Sequence, residues 1–183
     1  MPPPQYAVVA YVRNDLGCWV EELRREIHPE QAHLPAHITV LPPRPLGGSE
    51  SHAIALLAEL CREVSPFDIS LGDVETFIPT TPTLFLRVAH AAYKMRELHD
   101  RINTGILDGQ EPWPYMPHLT IAKFSTEEQV QAVKPLVDDR WARYKGPRRA
   151  HIDQLTFVRE GQNLTWADVA PIPLGREVAS RTP

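Results

Sequence analysis

One short pattern occurs twice in this chain, as Pro35-Ala36-His37-Ile38-Thr39-Val40 and as Pro117-His118-Leu119-Thr120-Ile121. In each copy a proline lies just upstream of a histidine, and an apolar residue, a threonine and a second apolar residue follow it. Successive side chains of a β-strand point to opposite faces, so His37 and Thr39 share one face and Ile38 and Val40 the other. The same alternation groups His118 with Thr120 and sets Leu119 and Ile121 behind them. Each copy is therefore a short strand with a hydrophobic anchor on one face and an imidazole and a hydroxyl on the other. A single such strand describes any half-solvated sheet; a second copy points to shared chemistry.

The flanking sequence repeats as well. Tyr6 to Val12 predicts a strand, and Leu16, Trp19, Val20, Leu23 and Ile27 recur at helical spacing after a cap at Asn14 or Asp15. His28-Pro29 ends that helix. The first motif strand follows over 37–41, then a helix opened by Ser49 or Ser51, with Ile54, Leu57, Leu60, Cys61 and Val64 on its apolar face. Phe67 to Phe77 reads as one bent strand or two. The order then restarts: a strand at Leu84 to Val88, a helix over Ala91 to Leu107, a proline-broken loop, and the second motif strand. A capping box of Ser125 and Glu128 predicts a short helix carrying Val130, Val133 and Leu136. Strands at His151 to Val158 and Leu164 to Ile172 close the chain, and 175–183 reads as a frayed tail.

Strand-helix-strand-helix-strand, given twice, predicts an α+β fold: duplicated βαβαβ units, approximately 5–77 and 83–172, within a single bilobal domain over 1–183. Two small antiparallel sheets with outer helices would surround a central cleft about a pseudo-twofold axis, and the imidazoles would meet there.

Composition narrows the function. The chain has 183 residues, 43% hydrophobic and 23% charged, with a net charge of −4. That balance argues against coating nucleic acid or membrane through bulk charge, and leaves room for a local basic pocket. No apolar run is long enough to span a bilayer. The first residues, MPPPQYAVVAYV, lack the basic segment of a signal peptide. Cys18 and Cys61 fall in helix-like stretches and read as buried reduced thiols. A cytoplasmic monomer is expected.

At these residues the sequence resembles the two-histidine (2H) phosphoesterase superfamily, the 2′-5′ RNA ligase-like or RNA 2′,3′-cyclic phosphodiesterase family. Its hallmark is a pair of HxTx motifs roughly eighty residues apart on a duplicated scaffold. Here they are His37-Ile38-Thr39-Val40 and His118-Leu119-Thr120-Ile121, and the likeness runs from Tyr6 to about Ile172. It implies a phosphodiesterase that opens 2′,3′-cyclic phosphates of RNA 3′ ends or small cyclic nucleotides, with no metal and no cofactor. Bacterial members resembling RNA 2′,3′-cyclic phosphodiesterases often carry an arginine shortly after the second motif. Lys123 stands there in this chain, keeping the charge and losing the bidentate fork. The resemblance also implies His118 as the base and His37 as the acid; the near-symmetry of the motifs leaves the reverse open.

The chemistry suits these residues. Opening a cyclic phosphodiester with water takes a base on the attacking side and an acid on the departing oxygen, and imidazoles titrate near neutrality. Thr39 and Thr120 are placed to donate hydroxyls to charge developing on the phosphoryl oxygens. Trp113 and Tyr115, in the loop before the second motif, can stack on a base or pack as core or lid. Strict alternation turns Lys123 away from Thr120 unless a bulge intervenes, in which case it can reach phosphate. His33 and His37 have i, i+4 zinc spacing, but Pro35 argues against a helix there. His52 and His99 read as solvent-facing helix residues. Two alternatives stay open: the same site run as a 2′-5′ RNA ligase, and a non-catalytic RNA or nucleotide binder.

Overall fold

The computed structural model describes residues 3–162 and 165–175. Apart from Gly175, the predicted tail lies outside the described residues. The order is β1 (Tyr6–Tyr11), α1 (Asp15–Ile27), β2 (His37–Arg44), α2 (Glu50–Arg62), β3 (Phe67–Thr76), β4 (Thr83–His90), α3 (Ala92–Ile102), β5 (His118–Lys123), α4 (Glu127–Arg143), β6 (Arg149–Ile152), β7 (Gln154–Glu160) and β8 (Trp166–Pro173). Short 3-10 turns at Pro29–Gln31 and Gly105–Leu107 interrupt the connections, so α3 stops short of the predicted Leu107.

Local chemistry sets the helix ends. The Asn14 side chain accepts from the Gly17 amide, and Leu16, Val20 and Leu23 form the buried stripe of α1. Gly17 has no room for a side chain: an added Cβ would lie 1.8 Å from the Val12 carbonyl oxygen, so glycine lets α1 turn tightly off β1. Ser49 caps α2. The capping box of α4 sits one residue later than the sequence suggested, on Thr126 and Gln129. That register buries Val130, Val137 and Trp141, carries the helix through Pro135, and leaves Leu136 exposed rather than in the core.

All eight strands form one antiparallel sheet in the order β6-β3-β4-β5-β2-β1-β7-β8. The two antiparallel sheets expected from the repeat are its halves, joined where β2 meets β5 at the single step Ile38–Leu119. The halves exchange a strand. β3, the last strand of the first repeat, pairs with β4 and β6, while β7 takes the corresponding place beside β1. Ile38, Val40, Leu119 and Ile121 are fully buried on the core face, each worth about 1.5–3 kcal/mol of burial. A smaller cluster of Ala7, Val9 and Val158, with Tyr11 and Trp166 against it, lies on the other face.

Candidate active site

The β2–β5 junction assembles the site. Directly opposed residues of an antiparallel pair share a face. Counting one residue either way from Ile38–Leu119 sets His37 against Thr120 and Thr39 against His118. The two core-facing anchors turn all four polar side chains to the opposite face. Each is partly buried.

Both imidazoles are tethered in the same way. His37 Nδ1 lies 2.8 Å from the Pro35 carbonyl oxygen, and His118 Nδ1 lies 2.7 Å from that of Met116. A carbonyl only accepts, so each Nδ1 carries the proton and each Nε2 is left to act as acceptor when the ring is neutral and as donor when it is charged. Burial pushes both imidazoles below the ordinary 6.5, against the pull of these carbonyls. At His37 the charges of Arg24 and His118 lower it further.

The surroundings differ. The His118 ring meets Phe77 and Phe85 edge-on at 4.9 and 5.1 Å. Beside it opens a cavity of ≈560 Å³ bordered by Phe77, Trp113, Tyr115 and Pro43. The His37 ring meets Tyr11 edge-on at 6.4 Å, and the Tyr11 hydroxyl donates to Asp168 at 2.5 Å. A second cavity of ≈580 Å³ opens there, bordered by Tyr11, Arg13, His33, Trp166 and Asp168. Thr39 borders both cavities.

The loop before His118 is anchored by a buried polar cluster. Arg44 at the end of β2 donates to Glu111 and Asn103, each at 2.5 Å, and to the Leu107 carbonyl at 3.0 Å. Glu111 also meets His99 Nε2 at 2.9 Å. The His99 ring stacks on Tyr115 at 4.3 Å, and the Tyr115 hydroxyl donates to the Thr39 carbonyl at 3.0 Å. His99 is thus buried, not solvent-facing as its helix suggested, because the loop closes over it. Tyr115 is committed to this packing, whereas Trp113 is 64% exposed at the cavity rim.

Lys123 sits past a bulge. The register with β4 shifts between Leu84 and Phe85, and Ile121 and Ala122 are buried in succession. Paired with Thr83, Lys123 therefore returns to the face of Thr120, yet it borders neither cavity. Thr120 likewise borders neither cavity. Cys18 is exposed rather than buried; Cys61 is buried, its thiol pushed up to about 11 by burial, and both are free.

Sequence reasoning missed several neighbours. Arg87 stands opposite His118 in register, with Glu75 at 3.4 Å. Tyr11 stands opposite His37 by the same rule. Arg24 carried a signal: it extends the Leu16–Val20 stripe by one more i+4 step, where a charge is out of place unless it has buried partners. Among the described residues no group of three or more His, Cys, Asp or Glu side chains could hold a metal, and no helix is long and apolar enough to cross a membrane.

A family model described as the 2′-5′ RNA ligase superfamily matches residues 12–164. The chain belongs to that superfamily. A protein of Halalkalibacterium halodurans named "Putative phosphoesterase" is 24% identical over 177 residues, covering 94% of this chain and 98% of its own length. One of the same name from Oceanobacillus iheyensis is 21% identical over 174 residues, covering 94% and 99%. Among solved structures, E. coli LigT complexed with NADP+ superposes with a TM-score of 0.63 at 13% identity, over 96% of this chain and all of LigT. Usb1 of Kluyveromyces marxianus gives 0.56 at 11% identity, over 93% and 98%. At such identities the superpositions establish a shared fold, and superfamily membership rests on the sequence match.

Proposed function

We propose that this chain is a phosphodiesterase that opens 2′,3′-cyclic phosphates, at RNA 3′ ends or on small nucleotides, by acid–base catalysis from His37 and His118. One observation carries the reading: two imidazoles on one sheet face, each with Nδ1 tied to a carbonyl two residues upstream, so that both Nε2 atoms are left for substrate. Water attacks phosphorus as one Nε2 takes its proton. The bond to one ribose oxygen breaks, and the other Nε2, protonated, gives that oxygen its proton. Thr39 and Thr120 donate hydroxyls to the phosphoryl oxygens as their charge grows. No step calls for a metal. Trp113, exposed beside His118, offers a plane for the base, with Tyr115 as the fixed wall behind it. Lys123 adds positive charge farther along the face. LigT, which shares the fold, has been crystallised with phosphate and with 3′-AMP, and ligands of that kind suit this cleft.

The cavity on the His37 side favours a second reading. Water needs no space of ≈580 Å³, whereas a nucleoside does. With a nucleoside 5′-hydroxyl in place of water, the same proton transfers form a 2′-5′ linkage, and the chain acts as an RNA ligase.

The test is incubation in EDTA with a nucleoside 2′,3′-cyclic phosphate and, separately, with RNA halves bearing 2′,3′-cyclic phosphate and 5′-hydroxyl ends. Ring opening supports the hydrolase, and joined RNA supports the ligase. Binding without turnover of either leaves a nucleotide-binding module. Loss of activity in EDTA that zinc or manganese restores overturns the two-histidine mechanism.

A further inference from the structure

β2 and β5 pair at Ile38–Leu119 and then part. On the His37 side of that step a helix side chain fills the gap. Arg24, from α1 and only 3% exposed, donates through Nη2 to the Thr120 carbonyl at 2.9 Å, through Nε to the Ile121 carbonyl at 2.7 Å, and through Nη1 to the Leu34 carbonyl. Glu21, one turn earlier, accepts from the Ala36 amide at 2.8 Å. Helix α1 therefore grips the chain on both sides of Pro35, the residue whose carbonyl tethers His37. The same guanidinium holds Thr120, which stands opposite His37. A planar fork can serve three carbonyls at once; an ammonium on a flexible stem lacks that fixed geometry.

We propose that Arg24 is the positioning residue that sets the separation of the two motifs, its guanidinium a fixed, buried cation between the segment that carries His37 and the backbone of β5. The inference rests on the acid–base reading above. The charged and titratable groups around His37 are Arg24 and Glu21 from α1, His118 from β5, Tyr11 from β1 with Arg13 over its ring, Asp168 from β8, and His33 in the same cavity. Asp168 is engaged by the Tyr11 hydroxyl, and Glu21 by the Ala36 amide. Arg24 is the fixed cation whose charge disfavours the imidazolium at His37. At His118 the neighbouring cation is Arg87, which is half exposed and faces Glu75.

Histidine titration followed by NMR tests this without substrate, so it stands even if the enzyme reading fails. Signals are assigned with His37→Ala and His118→Ala. In Arg24→Met the His37 titration should move up and that of His118 should move less; an unmoved His37 overturns the charge role. Arg24→Lys keeps the charge and loses the fork. It should leave the His37 titration nearly in place while kcat on a cyclic phosphate falls about tenfold or more, with KM changed less. Full kcat in Arg24→Lys overturns the positioning role.

Discussion

His37 and His118 are held by the same backbone device and housed in different company. The carbonyl two residues upstream fixes each ring, and a threonine two residues downstream shares its face. Around His118 the walls are Phe77, Phe85 and a proline-rich loop. Around His37 they are Tyr11, Arg13 and Asp168, with the Arg24 guanidinium behind. Duplication supplied two equivalent imidazoles, and the residues outside the motif make them unequal. An acid–base pair needs one ring neutral and one protonated, and a substrate seated between unlike surroundings gives the proton transfers their direction.

The largest expected effect erases the comparison altogether. His37→Ala and His118→Ala should each lower kcat by about 10²-fold or more and leave the fold intact, because neither ring is part of the core. Near-normal turnover in either variant would remove that histidine from the chemistry, and loss of the folded CD spectrum would make it structural. The pH profile sharpens the same point. Burial holds both pKa values below 6.5, so each ring stays neutral to lower pH than a free imidazole. The singly protonated pair is then most populated on the acid side of 6.5, and kcat/KM should form a bell centred there. A bell centred well above 7 contradicts the desolvated site.

The loop beside His118 is latched by side chains of its own half around Arg44, and the segment beside His37 by Arg24 and Glu21 of α1, which gives the second test. Arg44→Met leaves the Glu111 carboxylate, partly buried with 15% of its side chain exposed, without its main partner, at a cost of about 3 kcal/mol. Denaturant unfolding should show that loss, and at permissive temperature KM should rise as Tyr115 and Trp113 lose their fixed wall. Stability within about 0.5 kcal/mol of the parent would mean that the cluster is dispensable.

The sequence carried the motif strands almost whole, because alternation of His, Ile, Thr and Val states both the element and its faces. It also carried α1 and α2, whose caps and stripes are local. What it withheld depends on partners distant along the chain. Alternation marks β3 as a strand but does not say that it pairs with β4. Nothing near Arg24 foretells carbonyls 96 and 97 residues away. His99 looked solvated until Glu111 folded over it, and the turn of Lys123 toward the histidine face follows from a bulge that pairing with β4 reveals.

The two cavities can be set against each other at smaller amplitude. Trp113→Ala removes an exposed plane beside His118, and stacking on a base is worth about 1–3 kcal/mol. KM for a nucleoside 2′,3′-cyclic phosphate should rise about tenfold with kcat little changed. Trp166→Ala, on the His37 side, should spare that substrate and weaken joining of RNA ends if the ligase reading holds. Equal effects of both variants on the mononucleotide would mean that the base does not choose the His118 cavity.

Lys123→Ala should have the smallest effect, and geometry fixes its kind. The bulge turns Lys123 to the histidine face, but it lies three residues beyond Thr120 and five beyond His118 along β5, about 10 Å and 16 Å of strand. At that reach it does not touch the phosphorus between the imidazoles. A charge there meets a phosphate farther along an RNA chain, a contact a mononucleotide lacks. KM should therefore rise a few-fold on an oligoribonucleotide ending in a 2′,3′-cyclic phosphate and stay unchanged on the cyclic mononucleotide. Added salt should shrink the difference, because an exposed charge is screened within about a Debye length. Losing kcat on the mononucleotide would instead place Lys123 at the reacting phosphate, and would require the β5 strand to lie closer to the pair than its register allows.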